Sequence, residues 1–545
     1  MKTSESANAS ELLVVTTGLL QASRFADAAK TLRRALDLAP LDPPVAAAVS
    51  RVTALARQWL MLGQAAAAAT SLAPLAGSPN ASGDVLMLYG HSLMLLGRKG
   101  DAAAVLRRCH ETAPDDQGAA LRLAAVLADG DQPGEAEALV RASIARRGET
   151  PEAVFVLGRA LLRLARFDEA EAAFRKVVHA NAAHQTAHAN LMELVWMRTG
   201  DVHAASRVID RALRAQPQLS GLRIAKARLL LSARLPREAL VEIDVGLAAS
   251  PTDPALLHGA ATIALEFDGA RALDYARRLL VVAPDDRMAR VAMGNASLAT
   301  GQPQAALEMA DALHRLDPTD GQALAMQVDA LRMLGDGGRR CLADYGTLVR
   351  ADFIDVPMGW ATLDAYLVDL VDALRSLHRF RAHPIGNSLR DDSQIELLPE
   401  NSGFPAIRAF PQAIDRSIRR YINALGHGGD PMRSRNTGRY RLAGMWSVRL
   451  RPHGFHVNHY HPEGWISSAC YLQVPPAVSG RGGEGWLKFG EPAFATRPHL
   501  SPEFFLKPEA GLLALFPSYL WHGTVPFSGG ENDTRLTIAF DVVPA

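Results

Sequence analysis

The chain has 545 residues, of which 48% are hydrophobic and 21% charged, and this composition excludes overall disorder. Its 58 Lys and Arg against 57 Asp and Glu give a net charge of +1, which excludes a basic field for nucleic acid over the whole chain. The widely separated Cys109, Cys341 and Cys470 form neither a disulfide framework nor a CxxC zinc site and suit a reducing compartment. At this length we expect two or more domains.

The N-terminal stretch lacks the charged and apolar regions of a signal peptide. No run of about 18 apolar residues is present, so the sequence predicts no transmembrane helix. We therefore expect a cytoplasmic protein that has neither a membrane nor a nucleic acid as its partner.

Prolines recur at a regular interval in the first part of the chain. Pro217, Pro251, Pro284 and Pro318 are spaced 34, 33 and 34 residues apart, each in a short polar turn. Because proline breaks a helix and suits the start of the next one, this spacing predicts a repeated pair of helices.

Small residues mark the same period independently. Repeats that begin at Gly83, Gln117, Pro151, Gln185, Ser220, Pro254 and Arg287 place small side chains at the eighth and twentieth positions in most copies. Examples are Gly90 with Ala102, Gly158 with Ala170 and Gly294 with Ala306. Such residues let two helices of a hairpin approach closely.

This pattern over about residues 8–335 resembles the tetratricopeptide repeat, whose period is 34 residues. The resemblance implies an α-solenoid of helix hairpins. Solenoids of this kind hold extended ligands on their concave face, so we expect a peptide or protein partner there. The alternative is that the array only spaces or dimerises the rest of the chain.

The character of the sequence changes after Leu334. Residues 341–439 indicate a mixed helical and loop lead-in, with helices near 361–377 and 411–426. From 440 to 545, short β-prone segments are separated by turn signals. This spacing predicts an all-β barrel or jelly roll, so the fold class is multidomain: an α-solenoid followed by a β domain.

Three histidines stand out in this β region. On a strand, His459 and His461 share a face, while His456 points to the other one. A third ligand must come from elsewhere, and the best candidate is His522, which follows an apolar strand and a turn. Since histidine is the commonest metal ligand, His459, His461 and His522 form a candidate metal site.

A possible carboxylate clamp follows His522. Arg535 and Thr537 alternate onto one face of the last predicted strand. A guanidinium binds a carboxylate through two parallel hydrogen bonds, and a hydroxyl adds another contact. These two residues are therefore candidates for binding an acidic cofactor.

The segments HYHPEGWISSACYLQVP (459–475) and FPSYLWHG (516–523), followed by Arg-x-Thr, resemble the Fe(II)- and 2-oxoglutarate-dependent oxygenases. The likeness is closest to a bacterial group that often carries tetratricopeptide repeats. It implies a double-stranded β-helix at 440–545, iron on His459, His461 and His522, and 2-oxoglutarate on Arg535 and Thr537. The expected activity is hydroxylation of a peptide or protein delivered by the repeats.

One position departs from that family's pattern. His461 stands where the family has an acidic ligand, and Glu463, the nearest carboxylate, is less well spaced to replace it. Two alternatives therefore stay open. One is a scaffold whose barrel binds a metal or ligand without turnover, and the other is a cupin-like dioxygenase with three histidines and no keto acid.

Overall fold

A computed structural model describes residues 2–21, 24–130, 132–480, 482–530 and 532–545. The chain divides into two compact units, Met1–Ala187 and His188–Ala545. None of the helices in the described ranges is long and apolar enough to span a membrane.

The first unit consists of packed helix hairpins. Its helices are α1 (Lys2–Gln21), α2 (Phe25–Leu38), α3 (Pro43–Met61), α4 (Ala65–Ala76), α5 (Gly83–Leu95), α6 (Lys99–Thr112), α7 (Gln117–Asp129), α8 (Pro133–Arg147), α9 (Pro151–Arg163) and α10 (Phe167–Ala180). The next helix, α11 (Gln185–Thr199), crosses the division between the units.

Helix pairs continue at the start of the second unit. They are α12 (Val202–Ala215), α13 (Ser220–Ser232), α14 (Pro236–Ala249), α15 (Pro254–Ala264), α16 (Gly269–Val282), α17 (Arg287–Ala299), α18 (Pro303–His314) and α19 (Gly321–Met333). The repeat phase predicted from the sequence is confirmed, because all seven expected repeat starts are the first residues of helices α5, α7, α9, α11, α13, α15 and α17.

The small residue at the eighth position of a repeat has a direct packing role. A Cβ on Gly158 would lie 2.8 Å from the Phe174 ring, and one on Gly90 would lie 2.7 Å from Cγ of Leu106. Phe174 and Leu106 belong to the second helix of the same hairpin and are buried. A larger side chain would therefore push the two helices apart.

Beyond the repeats the chain alternates helices and strands. The helices are α20 (Arg340–Ala343), α21 (Tyr345–Leu348), α22 (Leu363–Leu377) and α23 (Pro405–Leu425). The strands are β1 (Arg350–Phe353), β2 (Leu389–Glu396), β3 (Tyr440–His456), β4 (Ile466–Gln473), β5 (Leu487–Phe489), β6 (Phe504–Leu506), β7 (Leu512–Pro517), β8 (His522–Thr524) and β9 (Arg535–Pro544).

These strands form two antiparallel sheets. The larger has the order β1-β7-β4-β9-β3-β2, and the smaller has the order β6-β5-β8. The sheets share one apolar core, in which Phe489 of β5 meets Phe516 of β7 with ring centroids 5.0 Å apart. The predicted α-solenoid followed by a β domain is thus confirmed.

The large sheet extends further back along the chain than expected. β1 and β2 lie within 341–439, where the sequence indicates only helix and loop, and this local prediction was wrong. The sequence of β2, LRDDSQIE, has too few apolar residues to show the alternation of apolar and polar residues that predicts a strand. Its fully buried Asp392 is neutralised by Arg449 of β3, at 2.9 Å. The boundaries of the three predicted regions themselves stay a prediction.

Candidate metal centre

His459 and His522 face each other across an antiparallel bridge. Each backbone N–H donates to the other's carbonyl, both at 2.9 Å. Direct cross-strand partners bring their side chains together, and the two ring centroids lie 4.2 Å apart. His522 is the first residue of β8, so the bridge places His459 beside the small sheet.

His461 completes the group from the same segment. Its N–H donates to the carbonyl of Ser518 at 2.8 Å, and its ring centroid lies 5.3 Å from that of His459 and 5.4 Å from that of His522. One ligand atom of each histidine lies within 4.8 Å of those of the others. The structure therefore brings together the three histidines singled out in the sequence.

The hydrogen bonds of the His459 and His522 rings leave one nitrogen of each available. Nδ1 of His459 donates to the carbonyl of Val457 and Nδ1 of His522 to that of Leu520, both at 2.9 Å. A carbonyl only accepts, so Nδ1 carries the proton and Nε2 keeps a free lone pair. This is the tautomer that a metal-binding imidazole requires.

Burial keeps two of these rings uncharged. Desolvation, together with the neighbouring His461, lowers the pKa of His459 to about 3. Desolvation and His459 hold the pKa of His522 well below its ordinary value. Neutral imidazoles facing one another need no proton removed before they bind a cation.

His461 has an acidic partner that sequence reasoning missed. Its Nδ1 lies 2.7 Å from Oδ1 and 2.9 Å from Oδ2 of Asp541 on β9, and Oγ of Ser467 donates to the same carboxylate at 2.7 Å. A signal was present, because Asp541 shares the alternating strand face of Arg535 and Thr537. A carboxylate behind an imidazole fixes its orientation and raises its basicity as a ligand.

Arg535 is buried and has no acidic partner within the described ranges of the chain. It is 2% exposed; Nη1 donates to the carbonyl of Gly485 at 2.6 Å and Nη2 contacts Oγ1 of Thr524 at 3.4 Å, while Nε has no hydrogen-bond partner within the described residues. Burying a guanidinium without a carboxylate is costly unless a ligand supplies the anion. Desolvation lowers the pKa of Arg535, consistent with that cost.

A second unsatisfied group lies against the same guanidinium. Cζ of Arg535 sits 5.0 Å from the ring centroid of Tyr471, whose buried hydroxyl also lacks a partner among the described residues. The Tyr471 hydroxyl can donate to an anion, as can Nε of Arg535. The sequence around Tyr471 contains no pattern that marks it as a binding residue.

The position of this pair relative to the histidines follows from β8. Thr524, which contacts Arg535, is two residues beyond His522 and so shares its strand face. Two residues of a strand span about 6–7 Å. The Arg535 guanidinium, which pairs with no carboxylate in the part of the chain that the structure describes, thus lies within reach of a small dicarboxylic acid that contacts the histidine group.

The other residues considered in the sequence do not join the three-histidine group. The hydroxyl of Thr537 is buried and makes a long contact of 3.4 Å to the carbonyl of Val448. His456 lies outside the three-histidine group; its Nδ1 is 2.9 Å from Oγ of Ser388, and its ring is 5.6 Å from that of His459. Glu463 is exposed and is not brought into the group.

Helix α19, at the end of the repeat region, packs against both segments that carry the histidines. Nε1 of Trp521, next to His522, donates to Oδ2 of buried Asp329 at 2.7 Å. Gly321, at the start of α19, is so close to Pro462 that a Cβ would lie 2.5 Å from the Pro462 oxygen. The end of the repeat region therefore supports the candidate metal centre from outside the sheets.

Comparisons with known proteins match the two parts of the chain separately. A curated relative, the cellulose synthase operon protein C of Pseudomonas fluorescens (strain SBW25), is 31% identical over 173 residues, which is 30% of this chain and 13% of that protein. The chain thus spans only a small part of that relative's length.

Among solved structures, a thermophilic TPR protein of Thermus thermophilus is 22% identical, with 33% of this chain and 99% of that chain covered and a TM-score of 0.27. A tetratricopeptide repeat protein from Parabacteroides merdae is 14% identical, with 46% and 98% covered and a TM-score of 0.32.

Family models match a segment in each part. Residues 121–185 match the tetratricopeptide repeat, and residues 444–541 match the family described as "Putative 2OG-Fe(II) oxygenase". The second match begins in β3 and ends at Asp541, so it includes the three histidines and Arg535. The chain therefore combines tetratricopeptide repeats with a domain that matches the 2OG-Fe(II) oxygenase family.

Proposed function

We propose that this chain is an Fe(II)- and 2-oxoglutarate-dependent dioxygenase that hydroxylates a peptide or protein recruited by its repeats. The observation that carries the proposal is the pairing of three convergent imidazoles with a buried guanidinium that has no acidic partner among the described residues. The first group suits a divalent cation, and the second suits the far carboxylate of a dicarboxylic keto acid.

In this proposal His459, His461 and His522 hold the iron through Nε2. The donor set fits Fe(II), since imidazole is an accepted ligand for iron. Fe(II) and 2-oxoglutarate, when bound, would supply the hydroxylation of a substrate C–H bond by O2, with one oxygen atom going to the substrate and the other to the succinate formed with CO2 from the keto acid. The chain's own contribution is to orient these groups and to exclude water.

Arg535 is the proposed anchor for the keto acid. Its free Nε and the Tyr471 hydroxyl donate to the far carboxylate, with Thr537 on the same strand face as a further proposed contact. This contact would satisfy two buried polar atoms at once. It also pairs the guanidinium charge in a dry site, where such a pair is worth more than in water.

Asp541 is relevant to His461, which stands where the family has an acidic metal ligand. Its carboxylate accepts a hydrogen bond from Nδ1 of His461 at 2.7 Å. A negative charge therefore lies beside the third imidazole, at the ring nitrogen that does not bind the metal. The net charge of the site then resembles that of two histidines and one carboxylate. We propose that Asp541 offsets, through His461, the charge that the usual ligand would supply directly.

A peptide or protein substrate is proposed from the repeats, since such stacks bind extended ligands. A cytoplasmic location stays a prediction of the sequence. The second candidate function is a three-histidine dioxygenase without a keto acid, and it is favoured by His461 in place of an acidic ligand. A barrel that binds metal without turnover is the non-catalytic alternative.

The deciding experiment measures succinate formed from 2-oxoglutarate under aerobic conditions with Fe(II). The wild type is compared with His522→Ala, which removes a ligand, and Arg535→Met, which removes the anchor. We expect iron-dependent succinate from the wild type alone. Metal binding without succinate would favour the scaffold, and substrate-dependent O2 uptake that survives Arg535→Met would favour the dioxygenase without a keto acid.

A further inference from the structure

A segment between α22 and β2 lies along the repeat helices of the second unit, and it contains a β-turn in which the N–H of Asn387 donates to the carbonyl of Pro384 at 3.3 Å. We call residues 381–388 the strap. The backbone N–H groups of Arg381 and Ala382 both donate to the carbonyl of Met197 on α11, at 2.9 and 3.1 Å. Ala382 and His383 are buried by this contact, at 7% and 3% exposure.

The strap is held mainly through its backbone. Nε1 of Trp196 donates to the carbonyl of His383 at 2.8 Å, and the N–H of Ile385 donates to Oε1 of Glu193 at 2.9 Å. The N–H of Gly386 then donates to Oγ of Ser232 on α13 at 3.1 Å. Side chains of the groove thus bind main-chain groups of the strap, a mode of recognition in which backbone hydrogen bonds supply affinity.

The groove residues occupy equivalent places in successive repeats. Glu193 stands in the repeat from Gln185 where Arg228 stands in the repeat from Ser220, and Met197 corresponds to Ser232. The strap therefore crosses from one repeat to the next along the face of the first helices. This face is the regular, repeated surface of the stack.

The side chains of the strap add selectivity. The ring of His383 packs edge-on against Trp196 with centroids 5.8 Å apart. Gly386 has φ +86°, a backbone conformation that favours glycine, and a Cβ there would displace the flexible tip of Arg228, whose Nη2 would lie 2.5 Å away. Pro384 needs no hydrogen-bond acceptor because it has no N–H.

We propose that the face of α11 and α13 is a binding site for a His-Pro-apolar-Gly peptide that forms a β-turn, and that the chain's own strap occupies it in cis. A protein partner with such a segment would have to displace the strap. The face is thereby closed to other peptides while the strap is bound, whichever function the β domain has.

The far end of the strap contacts His456, which lies beside the candidate metal centre. The carbonyl of Ser388 accepts from the N–H of Val457 at 2.8 Å, and its Oγ lies 2.9 Å from Nδ1 of His456. His456 in turn packs beside His459, with ring centroids 5.6 Å apart. Displacement of the strap would therefore loosen contacts next to a proposed metal ligand.

The test uses the full chain and a fluorescent peptide with the sequence of residues 379–388, RFRAHPIGNS. In the wild type the tethered strap competes at the high effective concentration of a linked ligand, so we expect weak binding. In Gly386→Val the strap fits poorly, and we expect the added peptide to bind on the order of tenfold tighter. Fluorescence anisotropy measures both affinities.

Matched variants separate this site from other effects. Adding Glu193→Ala to Gly386→Val removes the acceptor for Ile385 and should abolish the gain, whereas Glu193→Gln keeps an acceptor oxygen and should retain it. A peptide with valine in place of its glycine should not bind. Equal binding to the wild type and Gly386→Val, or a gain that survives Glu193→Ala, would overturn the proposal.

A second measurement does not depend on how well Gly386→Val folds. Hydrogen exchange of the otherwise unaltered chain should show slow exchange at the amides of Ile385 and Gly386. Glu193→Ala should speed exchange at the strap while leaving the β strands protected. Fast exchange of the strap in the wild type would contradict a stable cis contact.

Discussion

Nδ1 of His461 donates to the carboxylate of Asp541, 2.7 Å from Oδ1 and 2.9 Å from Oδ2. Asp541 also accepts from Ser467, whose hydroxyl lies 2.9 Å from that of Ser518. The carboxylate is thus held by several groups and cannot swing toward another partner without losing them. The third imidazole is oriented by a charge fixed in the last strand.

The first prediction concerns Asp541. Asp541→Asn keeps an acceptor for His461 but removes the negative charge, and Asp541→Ala removes both. We expect about tenfold weaker metal binding for the first and up to about a hundredfold for the second, the range seen for partners of metal-binding imidazoles. Anaerobic titration with Fe(II), or with Co(II) followed by its visible absorbance, measures the affinities.

The control for Asp541 is Ser468→Ala. Ser468 is a neighbouring buried hydroxyl on β4 that donates to the carbonyl of Phe540 at 2.7 Å and accepts from the N–H of Phe540 at 2.8 Å. Its loss removes no charge, so the metal affinity should change less than in Asp541→Asn. If Asp541→Asn and Ser468→Ala bound metal equally well, the charge of Asp541 would have no role at the site.

The second prediction separates ligand binding from stability at Arg535. Arg535→Met removes a buried cation that has no acidic partner among the described residues, so the unliganded protein should unfold at the same or a higher temperature. The affinity for 2-oxoglutarate should fall by about a hundredfold or more, since one partner of a buried charged pair is lost; this corresponds to about 2–5 kcal/mol. Calorimetric titration and thermal melts provide the two readouts.

Arg449→Met is the matched control. Arg449 pairs with the fully buried Asp392 at 2.9 Å, so its removal leaves that carboxylate with only the longer 3.5 Å pair to the more exposed Arg451. We expect a loss of up to about 3–5 kcal/mol in the free energy of unfolding without a change in 2-oxoglutarate affinity. The reverse pattern, with Arg535→Met unstable and still binding the keto acid, would show that Arg535 is a structural residue.

The third prediction is a pH dependence of stability at His378. This ring is buried between Oγ of Ser393 at 2.8 Å and Oγ of Ser447 at 3.0 Å, and desolvation with nearby Arg449 lowers its pKa to about 3. Below about pH 6.5 the unfolded chain binds a proton at His378 that the folded chain does not. Its contribution to the free energy of unfolding therefore falls by about 1.4 kcal/mol per pH unit from about 6.5 toward 3.

His378→Gln should remove the contribution of His378 to the pH dependence of the free energy of unfolding. Denaturant unfolding of the wild type and the variant at pH 7.5, 6 and 5 gives the comparison, and the two stabilities should converge as the pH falls. Parallel pH profiles for the two proteins would mean that His378 takes up a proton in the folded state as readily as in the unfolded chain.

The fourth prediction tests the support of the metal centre by the last repeat. Gly321→Ala would place a Cβ 2.5 Å from the Pro462 oxygen and 2.9 Å from its Cα, and Pro462 follows His461 directly. Since these are backbone atoms, the segment must move, and we expect weaker metal binding and a lower melting temperature.

Gly100→Ala is the control for that change. Gly100 lies in α6, and a Cβ there meets nothing within 4 Å. Alanine in an open helical position should be neutral or stabilise by up to about 1 kcal/mol. Metal affinity that is unaltered by Gly321→Ala would contradict the support of the centre by α19.

Much of the architecture could be predicted from local pattern. Helix α9 begins at Pro151 and α13 at Ser220, where the proline and small-residue periods place them. The period can be read from the sequence because the same close contact between two helices recurs in the hairpins, as at Gly158 against Phe174. Likewise, alternation on a strand was enough to propose that His459 and His461 share a face.

Other features depend on residues that are distant in sequence. β2 joins the sheet although its own residues are mostly polar, because Arg449 of β3 neutralises its buried Asp392. Asp541 acquires its role only by standing behind His461, 80 positions earlier. The strand alternation places Asp541 on the face of Arg535 and Thr537, but neither pairing partner can be identified from the local pattern of apolar and polar residues.

The sequence alone determined the repeat period, the change to β structure and the candidate histidines and arginine, because these rest on short-range periodicity and on side-chain chemistry. The tertiary structure decided which groups lack partners within the described residues, as at Arg535 and Tyr471, and that the strap lies along the helices. Burial and hydrogen-bond satisfaction are properties of a group's whole surroundings, and folding assembles those surroundings from distant parts of the chain.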